Sequence, residues 1–325
     1  MNNLKPRENK TMKTVIDIEN LEKQFRKVKA VRGLSLRIPE GKVTAFLGPN
    51  GAGKTTTIQC ALNLQTCDQG RINILGKDSQ KIGPEELRQI GYVSENQELP
   101  LWMTVDQFLN YCRPMYPKWD RDFEKKLRMD FDLPRDTRLR DLSRGMRMKA
   151  ALVSSLSYRP RLIILDEPFS GLDPLVRDEF IRGLLELTEE EGWSVFVSSH
   201  DIEEVERMAD EVAIIHQGKL PLHESMESLV QRFRKIEVQV EMEIQLPNNL
   251  PSSWLDFQHS GRRVSFTDSA YESESLNQAI QGQFPDVENC HIHPMSLREI
   301  FIVLAKTYRL QSSDTYDHKS QSIVQ

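Results

Sequence analysis

Residues 48 to 55 read Gly48-Pro49-Asn50-Gly51-Ala52-Gly53-Lys54-Thr55 and meet the spacing G-x-x-x-x-G-K-[ST] without a gap. No other stretch constrains the fold as much, because this spacing works only between a buried strand and the start of a helix. Glycines at 48, 51 and 53 permit backbone angles that other residues resist, so successive N–H groups can point inward at phosphate oxygens. Lys54 supplies a positive charge to the outer phosphates, Thr55 offers a hydroxyl to Mg²⁺, and Thr56 continues the helix whose positive end faces the same anion. The flanks agree: Lys42 to Leu47 is a short apolar run suited to a parallel strand, and Thr56 to Leu64 reads as a helix. A nucleoside triphosphate is the expected ligand.

At 325 residues the chain has room for roughly two domains. Its net charge of −5 argues against a dedicated nucleic-acid binder, which ordinarily carries a basic footprint. No run approaches 18 apolar residues, and residues 1 to 10 lack an apolar signal core, so a cytoplasmic location is expected. The four cysteines, Cys60, Cys67, Cys112 and Cys290, form no C-x-x-C pair and read as reduced thiols. Cys290, His291 and His293 alternate along a strand, which separates them onto two faces and weighs against a metal cluster.

Residues 1 to 13 are polar and are expected to be disordered. Residues 14 to 18 and 30 to 38 alternate as antiparallel strands, with Phe25 between them either as a platform for an adenine or as a core or staple residue. Strands follow at 70–76 and 90–95. Residues 104 to 158 then change to helical spacing (Val105, Phe108, Leu109; Phe123, Leu127, Phe131), which marks a helical insertion within about 98–158. Its Arg138, Arg140, Arg144, Arg147 and Lys149 are interleaved with aspartates and read as a solvated face. Strands at 162–165, 194–197 and 211–215 alternate with helices, which implies a parallel sheet covered on both sides. A connecting helix is expected over 221–233, then a smaller unit with strands at 235–244 and 263–267 and helices at 274–283 and 296–306. The tail from 310 is expected to be disordered.

The strand 162–165 runs into Asp166 and Glu167, and Pro168 stops it. Two carboxylates at that edge suit a phosphate-loop ATPase, with Asp166 at the metal and Glu167 polarising the attacking water. Ser170-Gly-Leu-Asp173 follows at once. His200 emerges after another apolar strand, at the carboxyl edge where open α/β sheets bind ligands, and can reach a γ-phosphate.

Together these elements resemble the nucleotide-binding subunit of the ATP-binding cassette (ABC) family over residues 14 to about 225. The resemblance implies that 48–55 is the Walker A loop, that Asp166 ends Walker B, and that Glu167 is the catalytic carboxylate. Ser170 to Asp173 is then the D-loop, with Asp173 near nucleotide, and His200 is the switch histidine. The family signature, Leu-Ser-Gly-Gly-Gln, reads Leu142-Ser143-Arg144-Gly145-Met146 here. Ser143 and Gly145 are retained for contact with the nucleotide of a second subunit, while Arg144 and Met146 depart from the pattern. Glu95 stands where the family places a metal-contacting glutamine and is expected to ligate Mg²⁺ through its carboxylate, with Gln97 two residues on as the other match for that position.

By the same resemblance the subunit works as a homodimer or beside a similar subunit. It uses ATP and Mg²⁺, drives a separate membrane permease from the cytoplasmic face, and binds no nucleic acid. Residues 295 to 301, Met-Ser-Leu-Arg-Glu-Ile-Phe, look like the ending of cassettes that pair with ABC-2-type permeases, which mostly export. The apolar loop Leu99-Pro-Leu-Trp102 is the expected docking surface. A soluble ABC ATPase of DNA repair or translation is the alternative; it would be favoured by a long coiled coil or two cassettes, and neither is present. The guanine-reading N-K-x-D of other phosphate-loop proteins is also absent. The expected fold is α/β: a phosphate-loop parallel sheet with antiparallel N-terminal strands and a helical insertion, plus a small α+β unit at 235–309.

Overall fold

The computed structural model describes residues 13–241, 249–284 and 286–307. Both expected disordered tails, apart from Lys13, and residues 242–244 of the expected strand lie outside that set. The chain divides after Glu224 into two compact units.

The first unit holds two sheets. β1 (Thr14–Phe25), β2 (Val28–Pro39), β4 (Gln69–Ile74) and β5 (Lys77–Asp78) form an antiparallel sheet in the order β2-β1-β4-β5. β3 (Val43–Leu47), β6 (Ile90–Ser94), β7 (Leu162–Asp166), β8 (Ser194–Ser199), β9 (Glu211–His216) and β10 (Lys219–Ser225) form the other, in the order β10-β9-β3-β8-β7-β6. Every residue of β3, β7 and β8 is buried, which is why these strands read as unbroken apolar runs rather than alternating ones. One core cluster draws on both sheets and on α1 (Lys54–Ala61), and includes Ile16, Leu34, Phe46, Ile58, Ile72, Ile164, Phe196 and Ile215.

Register decides where the loops emerge. β3, β6, β7 and β8 pair in parallel, with Leu47 opposite Ser199, Asp166 opposite Ser198, and Ser94 opposite Asp166. The strands therefore end level. The first residues beyond them, Gly48, Glu95, Glu167 and His200, leave the sheet along one edge.

After the short α2 (Pro84–Leu87), the insertion consists of α3 (Val105–Cys112), α4 (Arg121–Asp130) and α5 (Arg144–Leu156). Each starts on a side-chain cap: Thr104 on Gln107 N–H, Asp120 on Phe123 N–H, and Ser143 on Met146 N–H. Of the basic residues singled out in the sequence, Arg140 pairs with Asp141, Arg144 with Glu95 and Lys149 with Glu179. α6 (Pro174–Glu191) is capped by Asp173 and α7 (Ile202–Met208) by Asp201.

The expected helix over 221–233 is half wrong. Residues up to Ser225 extend the sheet as β10, and only α8 (Met226–Arg232) is helical. Pro221 lacks an N–H, but on an edge strand that donor is not needed. Leu222 is buried, and Ser225 caps α8 by accepting from Ser228 N–H.

The second unit contains α8, β11 (Arg234–Val240), β12 (Trp254–Ser260), β13 (Arg263–Asp268), α9 (Ser273–Gln283), β14 (Val287–Pro294) and a helix over residues 297–307. Its antiparallel sheet runs β12-β13-β11-β14. The core holds Ile236, Val238, Trp254, Phe266, Leu276, Ile280 and Phe284, with the rings of Trp254 and Phe266 stacked 3.9 Å apart. β12 was not read from the sequence, because Gln258, His259 and Ser260 blunt its alternation. On β14, Cys290 lies opposite buried Val238, while His291 and His293 lie opposite Glu237 and Lys235, so the three do share no single face. Among the described residues no group of three or more such side chains could hold a metal. The motif at 296–301 acts as a helix start. Ser296 Oγ accepts from Glu299 N–H, Glu299 Oε2 accepts from Ser296 N–H, and Leu297 and Ile300 are buried.

Candidate nucleotide site

The phosphate-binding loop is fixed by close backbone approaches. A side chain at Gly48 would stand 2.4 Å from Ile215 O, and one at Gly53, whose φ is +111°, 2.5 Å from Ala30 O. Glycine is therefore required at both positions for packing, and at Gly53 for conformation as well. Gly51 is also left-handed, and Ala52 accepts a hydrogen bond from Gly218 N–H at 2.9 Å. Pro49 lies before the turn and Asn50 within it, Lys54 to Thr56 open α1, and Thr57 Oγ1 donates to Gly53 O.

Lys54 is buried, and its Nζ donates to Gly48 O at 2.6 Å and Pro49 O at 3.2 Å. It also pairs with Glu167 Oε1 at 3.0 Å. The other oxygen, Glu167 Oε2, lies 2.7 Å from His200 Nδ1. Glu167 is itself left-handed, with φ of 53°, an uncommon state for a residue with a side chain, here at the point where the chain turns out of β7. Its N–H donates to Ser198 Oγ at 3.0 Å, which fixes that turn. His200 is about half exposed, whereas Glu167 is nearly closed off.

Asp166 is buried and accepts from Ser198 Oγ at 2.6 Å. Burial pushes its carboxyl above the ordinary range, against hydrogen bonds from Ser198 and Thr55 that favour the ionised form. A buried carboxylate beside a threonine hydroxyl suits Mg²⁺, which takes one or two carboxylates together with phosphate oxygens and water.

Ser143 and Gly145 sit at the first turn of α5. Ser143 Oγ accepts from its own helix, which leaves its hydroxyl hydrogen free to donate elsewhere. Gly145 packs closely on α6: a Cβ there would stand 3.0 Å from Val176 Cγ1. Asp173 Oδ1 accepts from Val176 N–H as the α6 cap. Glu95 Oε1 accepts from Ser170 Oγ at 2.7 Å and from Arg144 Nη2 at 3.0 Å, and these partners hold the carboxyl below its ordinary range. Phe25 ends β1 with its ring substantially exposed and the Lys23 ammonium 5.1 Å from its centroid, so it is not a core residue.

The structure thus brings Lys54, Thr55, Asp166, Glu167 and His200 into one cluster of direct contacts. Sequence reasoning missed two supports. Ser198 bridges Asp166 and Glu167, and its only signal was its place two residues before His200. Gly218, at φ +78°, donates to Ala52 O and accepts from Arg32 N–H, and a Cβ there would stand 2.7 Å from Ala30 O. Gly218→Ala is therefore expected to cost about 1–3 kcal/mol and to weaken ATP binding by loosening the loop. Thermal unfolding with a nucleotide titration checks this; an unchanged melting temperature and affinity would remove Gly218 from the loop's support.

A parallel sheet carrying a phosphate loop at one edge, opposed by an Asp-Glu strand end and a histidine, defines a nucleoside-triphosphatase cassette. A family model described as ABC transporter matches residues 31–170. The uncharacterized ABC transporter ATP-binding protein YhcH of Bacillus subtilis (strain 168) is 38% identical over 213 residues, which is 64% of this chain and 69% of that protein. The bacitracin transport ATP-binding protein BcrA of Bacillus licheniformis is 33% identical over 226 residues, 69% of this chain and 74% of that one. Among solved structures, an ATP-binding subunit of an ABC transporter superposes with a TM-score of 0.61 at 25% identity, covering 67% of this chain and 92% of the other. The chain belongs to the ABC transporter ATP-binding proteins, and as such is an ATPase whose hydrolysis of ATP powers transport.

Proposed function

We propose that ATP is held by Gly48 to Thr56, with Lys54 leaving Glu167 for the outer phosphates and Phe25 lying under the base. Thr55 and Asp166 would hold Mg²⁺, which supplies charge neutralisation at the phosphates when bound. Glu167 takes the proton of the attacking water, and His200 orients Glu167 and meets the γ-phosphate. The single observation carrying this reading is the placement of the Glu167 carboxylate between the Lys54 ammonium, at 3.0 Å, and the His200 ring, at 2.7 Å.

One chain carries one phosphate loop and one signature turn, and Ser143, Gly145 and Asp173 are assigned to the nucleotide of a second subunit in a homodimer or a similar pair. A solved dimeric cassette shares the fold. We assign residues 235–309, which fall within the second unit, to support of that dimer rather than to nucleotide binding.

The permease is proposed to dock in the groove of about 520 Å³ lined by Gln97, Leu99, Leu101, Arg147 and Met148. Leu101 and Trp102 are exposed beside it, at 47% and 69%. Two apolar side chains left to water at one groove are the kind of patch a partner covers. The permease is proposed to be a separate chain; among the described residues no helix is long and apolar enough to cross a membrane. Export is proposed from the resemblance of residues 295–301 to the ending of cassettes that pair with ABC-2-type permeases. A photo-cross-linker at Leu101 in membranes is expected to capture a polypeptide with several spans. Capture of soluble proteins alone would contradict the docking surface.

A further inference from the structure

Two of the three departures from the family pattern, Glu95 after β6 and Arg144 at the start of α5, meet each other. Arg144 Nη2 lies 3.0 Å from Glu95 Oε1, and the same oxygen takes the Ser170 hydroxyl. The backbone joins in, since Glu95 N–H donates to Asp166 O at 2.8 Å. The Arg144 guanidinium also lies across Gly171, where a Cβ would stand 2.7 Å from Nη1. Glu95 is thereby tied at once to the Walker B strand, to the loop behind Glu167, and to the helix that begins with Ser143.

We propose that Glu95 and Arg144 are a pair of positioning residues that hold the Ser143–Gly145 turn of α5 in register with the Asp166–Gly171 segment of the same chain. ATP contact in one site is thus coupled to the signature turn offered to the other. The pair does not serve to stabilise the fold: its side chains are 32% and 47% exposed, and ion pairs in such settings contribute little. Its role is geometric, and it rests on the reading of Ser143 and Gly145 as contacts to a second subunit's nucleotide.

The test is a double-mutant cycle in the full-length Glu167→Gln protein, which is expected to retain ATP, read as the ATP concentration for half-maximal dimer formation. Glu95→Ala and Arg144→Ala are each expected to raise it about fivefold, and the double variant also about fivefold rather than the ~25-fold of independent sites. Thermal midpoints are expected to stay within about 3 °C of the parent. Independent effects, or none, would overturn the proposal. So would an increase in the Mg²⁺ requirement for Glu95→Ala alone, because Glu95 would then be a metal ligand. If the parent does not dimerise at all, the two-subunit reading falls and the proposal with it; if it dimerises and the cycle is additive, only the proposal falls.

Discussion

Glu167→Gln is expected to lower steady-state ATP turnover by about 10²- to 10⁴-fold while leaving ATP affinity nearly unchanged. The carboxylate is almost closed off from water, and its two oxygens face Lys54 and His200. An amide of the same shape keeps the packing but cannot take a proton from water. It also frees Lys54 from its anionic partner, leaving the ammonium on Gly48 O and Pro49 O, so phosphate entry has no ion pair to displace. Turnover by released phosphate, beside binding of a fluorescent nucleotide, separates the two effects. A near-parental turnover rate would remove Glu167 from the chemistry.

Lys54→Ala is expected to act on binding instead. Hydrogen bonds from a charged donor contribute about 1.5–3 kcal/mol each, so loss of the ammonium is expected to weaken ATP binding by roughly 10- to 100-fold or more. The variant also leaves Glu167 buried beside His200 without its cation, which destabilises the nucleotide-free protein. Calorimetric titration with ATP reads the first effect and thermal unfolding the second. Retained affinity together with lost turnover would contradict the assignment of Lys54 to ground-state phosphate binding.

What could be read from the sequence was what lies in consecutive residues. The phosphate loop, the Asp166–Glu167 strand end and the strand before His200 announce themselves because each is a short run with its chemistry built in, and the sheet edge then brings them together. The supports of the site are different in kind. Gly218 reaches Ala52 across 166 positions, and Arg144 reaches Glu95 across 49. Strand register and helix docking set those contacts, and no local spacing encodes them. Ser198 was visible but its role was not, since only the pairing of β7 with β8 sets it beside Asp166. The helix expected at 221–233 failed where an edge strand accommodates a proline. The antiparallel second sheet was half legible, because β11 and β13 alternate cleanly and β12 does not.

On the proposed function, this chain carries two complementary half-sites, a phosphate loop with its carboxylates and a signature turn, that close on ATP only between two subunits. The most direct measurement is the oligomeric state of the Glu167→Gln protein by size-exclusion chromatography with light scattering. With ATP and Mg²⁺ a dimer containing two retained nucleotides is expected, which Lys54→Ala in the same background abolishes. A protein that binds ATP fully yet shows the same mass with and without it would contradict the claim.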